Sequence, residues 1–133
     1  MTQQDSLNLV TQDDVVLARQ LTRTWAIKAH LSLVDQTKIV TAASELARNT
    51  IIYGGGGVMV VEAVFSGDRP GIKLTFEDQG PGIPDIEQAL KDGFTTGRGL
   101  GLGLGGARRL SSEFDIESEP GRGTRITLIR WKT

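Results

Sequence analysis

The sequence of 133 residues predicts an α+β fold, a two-layer sandwich in which a mainly antiparallel mixed sheet carries helices on one face. Stretches with apolar residues three and four positions apart are typical of amphipathic helices, and stretches that alternate apolar with polar residues are typical of half-buried strands. Turns rich in glycine and proline separate these stretches. A chain of this length buries about two-thirds of its unfolded surface, so we expect a single domain over residues 1–133.

The first helix is predicted to begin at Asp13 and Asp14, because carboxylates are favoured at the positive end of a helix dipole. A short edge strand over residues 6–11 precedes it. The helix carries apolar residues spaced three and four apart, which we expect to face the core. This stripe consists of Val15, Ala18, Leu21, Trp25 and Ala29.

The second helix is predicted to begin at Ser32, because Asp35 follows three residues later, which is the spacing of a capping box. It continues to about Tyr53, where the consecutive glycines 54–57 end it. Four more strands follow from β-branched and alternating segments, and the first two of them are joined by a hairpin turn over residues 66–71. These strands cover residues 58–65, 72–77, 114–117 and 124–131, and shorter helices are expected over residues 84–91 and 104–110.

Composition excludes several classes of site. The chain has no cysteine and one histidine, His30, which excludes disulfides, thiolate metal sites and histidine-rich metal sites. A net charge of −1 gives no global attraction to nucleic acid or to an anionic membrane. The sequence shows no signal-peptide pattern and no apolar run near the length of about 20 residues that spans a bilayer. We therefore expect a soluble, cytoplasmic protein that binds neither nucleic acid nor membrane.

Residues 93–106 hold seven glycines in fourteen positions. Ordered glycine costs about 0.5–1 kcal/mol per residue relative to alanine, so such a segment is ordered only for a reason. One interpretation is a flexible linker. The other is a loop whose bare N–H groups approach a phosphate. The patterned sequence that follows is too short for a second domain, which favours a loop inside the domain.

Glu45 and Asn49 lie four residues apart on the second predicted helix and therefore project from one side of it. Taken alone, this pair is compatible with ordinary solvated helix surface. Asp78, which precedes Gly80 and Gly82, is likewise compatible with a sharp turn that leaves a strand. The order of these motifs along the chain is more informative than any one of them.

The motifs SELARN (44–49), EDQGPGIPDI (77–86), GFTTGRGLG (93–101) and GRGT (121–124) resemble those of the Bergerat-fold ATP-binding proteins, the GHKL superfamily. This superfamily includes histidine-kinase ATPase domains, type II topoisomerases and anti-sigma-factor serine kinases. The chain resembles in particular the RsbT-type serine/threonine switch kinases of bacterial stress signalling. It departs from histidine kinases because no helical segment offers a phospho-accepting histidine, and Tyr53-Gly54 stands where many members have a histidine.

The resemblance implies a role for each matching polar residue. Asn49 matches the asparagine that binds Mg²⁺, an ion that prefers oxygen ligands. Glu45 matches the general base, which would take the proton from an attacking hydroxyl. Asp78 matches the carboxylate that accepts a hydrogen bond from the amino group of adenine. Thr124 matches a hydroxyl that supports the adenine pocket.

The resemblance also implies roles for the glycines. Gly80 and Gly82 would let the backbone pass close to the base. Arg98 is either a cation that reaches the γ-phosphate or a solvated loop arginine. The helix after the phosphate-binding loop would point its N-terminus at the phosphates. That loop matches Gly97, Gly99, Leu100, Gly101, Leu102 and Gly103.

ATP and Mg²⁺ are therefore the cofactors that the resemblance implies, and serine/threonine protein kinase is the activity. The implied partners are STAS-domain scaffold or anti-sigma-antagonist proteins of stressosome-type partner switching, together with a PP2C-type phosphatase regulator that the released kinase would activate. The alternative is a nucleotide-binding, anti-sigma-type module that sequesters a partner such as a sigma factor and has no kinase activity. The presence of both Glu45 and Asn49 disfavours this alternative, because a pure binder has no need of a base.

Overall fold

A computed structural model of the chain describes residues 3–83, 85–90 and 103–133, which form one five-stranded sheet and four helices. The helices are α1 (Asp13–Lys28), α2 (Leu33–Ile52), α3 (Ile86–Ala89) and α4 (Gly103–Arg109). The strands are β1 (Gln4–Leu9), β2 (Gly57–Ser66), β3 (Arg69–Asp78), β4 (Glu113–Glu119) and β5 (Gly123–Trp131).

The sheet has the strand order β1-β2-β3-β5-β4, and each pair of neighbours is antiparallel. The α+β class is confirmed, and the described sheet is antiparallel throughout where a mixed sheet was expected. Tight hairpins join β2 to β3 and β4 to β5. The longer connection leads from β3 through α3 and α4 to β4 at the edge of the sheet, and β5 then lies between β3 and β4, antiparallel to both. None of the described helices is long and apolar enough to cross a membrane.

The core lies between the helices and one face of the sheet. In the middle of β3, Ile72, Leu74 and Phe76 are buried, and Lys73 and Thr75 between them are partly exposed, as period-two alternation requires. The fully buried apolar residues of helix α2 include Ile39, Ala42, Ala43 and Leu46. Core residues at or below 1% exposure include Leu9, Ala18, Ile39, Ala42, Ala43, Leu46, Met59, Val61, Ile72, Leu74, Phe76 and Leu128.

Helix α1 presents a slightly different face to the core from the one predicted. Thr22 and Ala26 are fully buried, whereas Leu21 and Trp25 are only partly buried at its edge. Thr22 tolerates burial because its hydroxyl donates to the Ala18 carbonyl over 2.7 Å. The apolar pattern alone missed this threonine, because its polar atom is satisfied within the helix.

The N-terminus of α2 forms half of the predicted capping box. The Ser32 hydroxyl accepts a hydrogen bond from the Asp35 backbone N–H over 3.1 Å, as an N-cap does. The reciprocal prediction was wrong, because the Asp35 carboxylate does not return to Ser32. It is 1% exposed and binds the far end of the chain, where Arg130 and Thr133 donate to it.

Asp35 is the centre of a buried polar cluster with Arg130 and Thr133. Arg130 donates through Nε and Nη2 to Oδ1 over 3.1 and 2.7 Å, and Thr133 donates through its N–H and its hydroxyl to Oδ2. Burial alone would raise the pKa of Asp35, but the hydrogen bonds from Thr133 and Arg130, with the Arg130 charge, lower this pKa to about 2. Arg130 also donates to the carbonyl of Leu110, so the cluster joins α2, β5 and the residue after α4.

Candidate active site

A row of polar residues crosses three neighbouring strands at one end of the sheet. Asp78, the last residue of β3, pairs with Thr124 at the start of β5, and Thr124 pairs with Ser118 on β4. Each lies two residues from a core-facing side chain of its own strand, so the row lies on the helix-covered face; these neighbours are Phe76, Ile126 and Ile116. The register of the sheet thus brings together two predicted site residues, Asp78 and Thr124, that are far apart in sequence.

The Asp78 carboxylate is held from one side and retains acceptor capacity on the other. Its Oδ1 accepts from the backbone N–H of Gly80 over 2.9 Å, a local bond that orients the group. Gly54 lies directly against the carboxyl group, because a Cβ at Gly54 would stand 2.5 Å from Asp78 Cγ and 2.6 Å from Oδ2. Within residues 3–83, 85–90 and 103–133, Oδ2 receives no hydrogen bond. This oxygen is available to a donor from a ligand.

The loop after Asp78 packs closely on the backbone of two other segments of the chain, at Gly54 and at Glu119. Gly82 has φ +82°, and a Cβ there would lie 2.3 Å from the Glu119 carbonyl oxygen. A Cβ at Gly80 would lie 2.8 Å from the Gly54 Cα. The Gly121 N–H also donates to the Pro81 carbonyl over 2.8 Å. Glycine at positions 80 and 82 was predicted to let the backbone pass close to a base. The structure gives another reason for glycine, because a side chain at either position would clash with the protein's own backbone.

Two hydroxyls connect this loop to the β4–β5 hairpin. Ser118 Oγ accepts from the Ile83 N–H over 2.7 Å and lies 2.9 Å from Thr124 Oγ1 and 3.1 Å from the Gly123 carbonyl oxygen. Thr124 is 9% exposed, and its hydroxyl bonds within the described chain to Ser118. The two hydroxyls set the distance between the loop and the hairpin at the end of the polar row.

Glu45 and Asn49 lie on α2, at its C-terminal half. Glu45 is 8% exposed, and its carboxylate accepts from Arg48 Nη1 over 3.3 Å, an i,i+3 ion pair. Asn49 is partly buried, and its backbone carbonyl accepts from the Gly54 N–H over 3.3 Å. Because Gly54 in turn touches Asp78, the end of α2 and the polar row form one continuous region.

The donor chemistry of this region fits a phosphate-bound Mg²⁺ better than a metal held by protein alone. No cluster of three or more His, Cys, Asp or Glu side chains occurs among the described residues. The side-chain amide of Asn49 makes no hydrogen bond to any residue of the described ranges, so its oxygen is available as a hard ligand. Mg²⁺ usually takes one or two protein oxygens and completes its shell with water and nucleotide phosphates.

The predicted phosphate-binding loop lies almost entirely outside the described residues. Gly103 is the exception: it begins α4, is buried and has φ +68°. Helix α4, in which Leu104 and Ala107 are buried, packs on α2, the helix that carries Glu45. The predicted residues outside the described ranges are Gly97, Arg98, Gly99, Leu100, Gly101 and Leu102.

Sequence reasoning missed two residues of this site. The sequence marks Gly54 as the end of a helix and as a departure from the family histidine, but not as a contact of Asp78, although its lack of a side chain is what lets α2 approach Asp78. Ser118 gave no signal, because one serine in an alternating strand is typical of a half-buried strand. Its importance depends on contacts with Ile83 and Thr124 that only the sheet register reveals.

The chain is similar to known proteins over most of its length. Over 131 residues the chain is 47% identical to the Serine/threonine-protein kinase RsbT of Bacillus subtilis (strain 168), which covers 98% of each chain. It is 31% identical over 120 residues to the Anti-sigma F factor of Thermoanaerobacter sp. (strain X514), covering 86% of this chain and 82% of the other. Among solved structures, that of the RsbU and RsbW domains of Rv1364c from Mycobacterium tuberculosis matches with a TM-score of 0.66 and 25% identity, over 96% of this chain and 31% of that one.

The predicted superfamily and the predicted enzyme class, a serine/threonine protein kinase, are confirmed by these similarities. The model of one protein family, described as histidine kinase-, DNA gyrase B- and HSP90-like ATPase, matches residues 34–133, which include α2, the polar row and α4. The chain therefore belongs to the family of histidine kinase-, DNA gyrase B- and HSP90-like ATPases.

Proposed function

We propose that this chain transfers the γ-phosphoryl group of Mg²⁺-ATP to a serine or threonine of a STAS-domain partner in a partner-switching stress pathway. The observation that carries the proposal is the position of Glu45, a buried carboxylate in the C-terminal half of α2, the helix whose end approaches Asp78 through Gly54. One region of the molecule thus offers a base, an oxygen for a cation and an acceptor for a purine amino group.

Each residue has a defined task in this scheme. Asp78 accepts a hydrogen bond from the adenine amino group and orients the nucleotide. The Asn49 side-chain oxygen is a ligand for Mg²⁺, which when bound neutralises charge on the triphosphate. Glu45 takes the proton of the acceptor hydroxyl. The oxygen of that hydroxyl bonds to the γ-phosphorus, and the bond from this phosphorus to the bridging oxygen of ADP breaks.

The glycine loop supplies the remaining contacts in this proposal. Backbone N–H groups of residues 97–103 bind the phosphates, and Arg98 stabilises charge on the transferring phosphoryl group. Both assignments depend on the family motif. Support from the structure is limited to Gly103, the buried first residue of α4, because α4 packs on α2, the helix that holds Glu45 and Asn49.

The proposed partners are STAS-domain scaffold or antagonist proteins and a PP2C-type phosphatase regulator, in the cytoplasm. Relatives named as a serine/threonine kinase and as anti-sigma factors support a partner-switching setting, and so does a solved chain that joins an RsbW domain to an RsbU domain. The exposed apolar side chains of Val16, Leu17 and Ile27 on α1 offer surface for such contacts.

The proposal is tested with Glu45→Gln, which keeps the size of the side chain and removes the base. We expect phosphoryl transfer from labelled ATP to a STAS-domain protein to fall by about 10²–10⁴. ATP affinity, measured by calorimetry, should stay within about twofold, because the purine is held by Asp78. Glu62→Gln is the matched control, since Glu62 is a partly exposed glutamate on β2 with no place in the site.

Transfer by Glu45→Gln at the wild-type rate would refute the role of Glu45 as base. A wild-type protein that binds ATP and the partner but transfers nothing would favour the alternative, a sequestering module without kinase activity. The observation that favours this second function is the similarity of the chain to proteins named Anti-sigma F factor.

A further inference from the structure

Ser118 has three polar neighbours, and its single hydroxyl proton limits how it can serve them. The Ile83 backbone N–H is a donor, at 2.7 Å. The Gly123 carbonyl oxygen is an acceptor, at 3.1 Å. The Thr124 hydroxyl, at 2.9 Å, is able to act either way. A serine hydroxyl offers one proton and two lone pairs, so all three contacts are satisfied in one arrangement only.

The Ile83 N–H occupies one lone pair of Ser118 Oγ. The carbonyl of Gly123 cannot donate, so that bond takes the only proton of Ser118. The second lone pair of Ser118 must then accept, and its remaining neighbour is Thr124. The hydroxyl proton of Thr124 therefore points at Ser118, and its lone pairs are what it presents elsewhere.

The orientation of Thr124 matters because of its place beside Asp78. The two residues are direct partners in the β3–β5 register and lie on the same face of the sheet. A carboxylate oxygen is also an acceptor. The end of the polar row therefore presents acceptors from two adjacent strands, which favours a ligand group with more than one N–H.

We propose that Ser118 is a positioning residue: it fixes Thr124 as an acceptor and so sets the preference of the site for a 6-aminopurine over a 6-oxopurine. The inference rests on the proposed binding of ATP at Asp78. A 6-amino group carries two N–H donors. A 6-oxo group places an acceptor oxygen where the protein also has acceptors, and that juxtaposition leaves a buried polar group unpaired.

The test compares Mg²⁺-ATP with Mg²⁺-ITP, because their bases differ only at C6 and in the N1 proton. Affinities for both are measured by calorimetry. We expect Ser118→Ala to lower the ATP-to-ITP affinity ratio about fivefold, because one neutral hydrogen bond then no longer fixes the Thr124 proton. Ser118→Thr keeps a hydroxyl at this position and should retain most of the wild-type ratio.

Ser112→Ala is the matched control. The Ser112 hydroxyl also accepts from a backbone N–H, that of Trp131 over 3.0 Å, but it lies at the other end of the sheet. The loss of such a bond should leave the ratio unchanged. A fall of the ratio in Ser112→Ala equal to that in Ser118→Ala would indicate a general effect of a weakened sheet and would overturn the inference.

Thr124→Val gives a second route to the same answer if Ser118→Ala does not fold. It should lower the ratio as well, and adding Ser118→Ala to it should change the ratio no further, because Ser118 acts through Thr124. An unchanged ratio in Thr124→Val, additive effects in the double variant, or equal wild-type affinities for the two nucleotides would each overturn the inference. Wild-type protein that binds neither nucleotide would instead refute the proposed function.

Discussion

Two aspartates near opposite ends of the sheet, Asp35 on α2 and Asp78 on β3, differ in how fully their carboxylates are hydrogen-bonded. Asp35 is 1% exposed and accepts four hydrogen bonds, two on each oxygen, from Arg130 and Thr133. Asp78 is partly buried and accepts one, from the Gly80 N–H, among the residues of the described ranges. Both residues are oriented by backbone or charged groups, but only Asp35 has its acceptor sites filled.

The difference separates a structural carboxylate from one that is ready for a ligand. A buried acceptor that is saturated stabilises the fold and offers nothing more, whereas an oriented acceptor with an oxygen left over pairs with an incoming donor at little reorganisation cost. Glu45 stands between the two, buried but paired with the partly exposed Arg48. The comparison therefore predicts that changes at Asp35 affect stability and changes at Asp78 affect nucleotide binding.

The largest effect is expected for Asp35→Asn. The substitution removes the charge that Arg130 faces at 2.7 Å in a site where Arg130 itself is 12% exposed, so an uncompensated cation stays buried. Breaking such a pair from one side costs about 3 kcal/mol of unfolding free energy. Urea unfolding measures this loss, and Asp68→Asn in the exposed β2–β3 turn is the control. A loss below about 0.5 kcal/mol would contradict the structural role of Asp35.

Acid unfolding tests the same cluster through its protons. The pKa of Asp35 is about 2 in the folded protein, below the ordinary value of 3.8, so this group stabilises the fold above about pH 4 and loses that contribution as pH falls toward 2. The contribution is about 2 kcal/mol. We expect the stability gap between wild type and Asp35→Asn to narrow by this amount on acidification from about pH 5 to pH 2.

Asp14 also contributes to acid sensitivity, which is why the unfolding free energy of Asp35→Asn is compared with that of the wild type at each pH. Asp14 is the same in both proteins. The pKa of Asp14 is also lowered, by hydrogen bonds from the backbone N–H groups of Thr11 and Val10, so both proteins lose its contribution in acid alike. A gap that stays constant from about pH 5 to pH 2 would show that the pKa of Asp35 is not lowered by folding.

Asp78→Asn tests the other carboxylate. The amide keeps the shape of the side chain but replaces one acceptor oxygen by a donor, which faces the purine amino group in the proposed complex. ATP affinity should fall about tenfold, equivalent to about 1.4 kcal/mol, while the urea midpoint changes little. Calorimetry on Asp78→Asn and Asp35→Asn side by side gives the sharpest contrast. Weaker binding in Asp35→Asn alone would reverse the assignment of the two residues.

Local pattern predicted most of the elements but not these clusters. The alternation of β3 and the apolar spacing of α2 depend on neighbours within a few residues, so the sequence states them directly. Asp35 and Arg130 are 95 residues apart, and the pattern around Asp35 matched a capping box, a local motif that competed with the real partner. Long-range pairing of this kind follows from the topology of the sheet, and a short stretch of sequence carries no information about that topology.

The candidate site divides in the same way. Glu45, Asn49, Asp78 and Thr124 were predicted because their motifs resemble a family, and resemblance carries information about distant contacts that spacing lacks. Gly54 and Ser118 lie outside the four quoted motifs, and their contacts in the site are visible only in the structure. Residues 97–102 were predicted from the same motifs and lie outside the described part of the chain, so their role stays a prediction.

Gly54 and Gly55 offer the finest test of the comparison, because adjacent glycines are expected to fail in opposite ways. A Cβ at Gly54 would stand 2.5 Å from Asp78 Cγ and 2.7 Å from its Cβ, so Gly54→Ala must displace the Asp78 side chain. We expect a severalfold loss of ATP affinity with a small loss of stability. Gly55 has φ +74° and open space around it, so Gly55→Ala strains the backbone by about 1 kcal/mol and leaves the carboxylate in place.

Calorimetry and urea unfolding on this pair separate the two outcomes. Lower ATP affinity confined to Gly54→Ala would support contact with Asp78 as the reason for glycine at position 54. Equal losses of affinity in both variants would mean that the turn after α2 acts through its backbone conformation alone. In that case Asp78 would owe its orientation to Gly80, the residue whose N–H it already accepts.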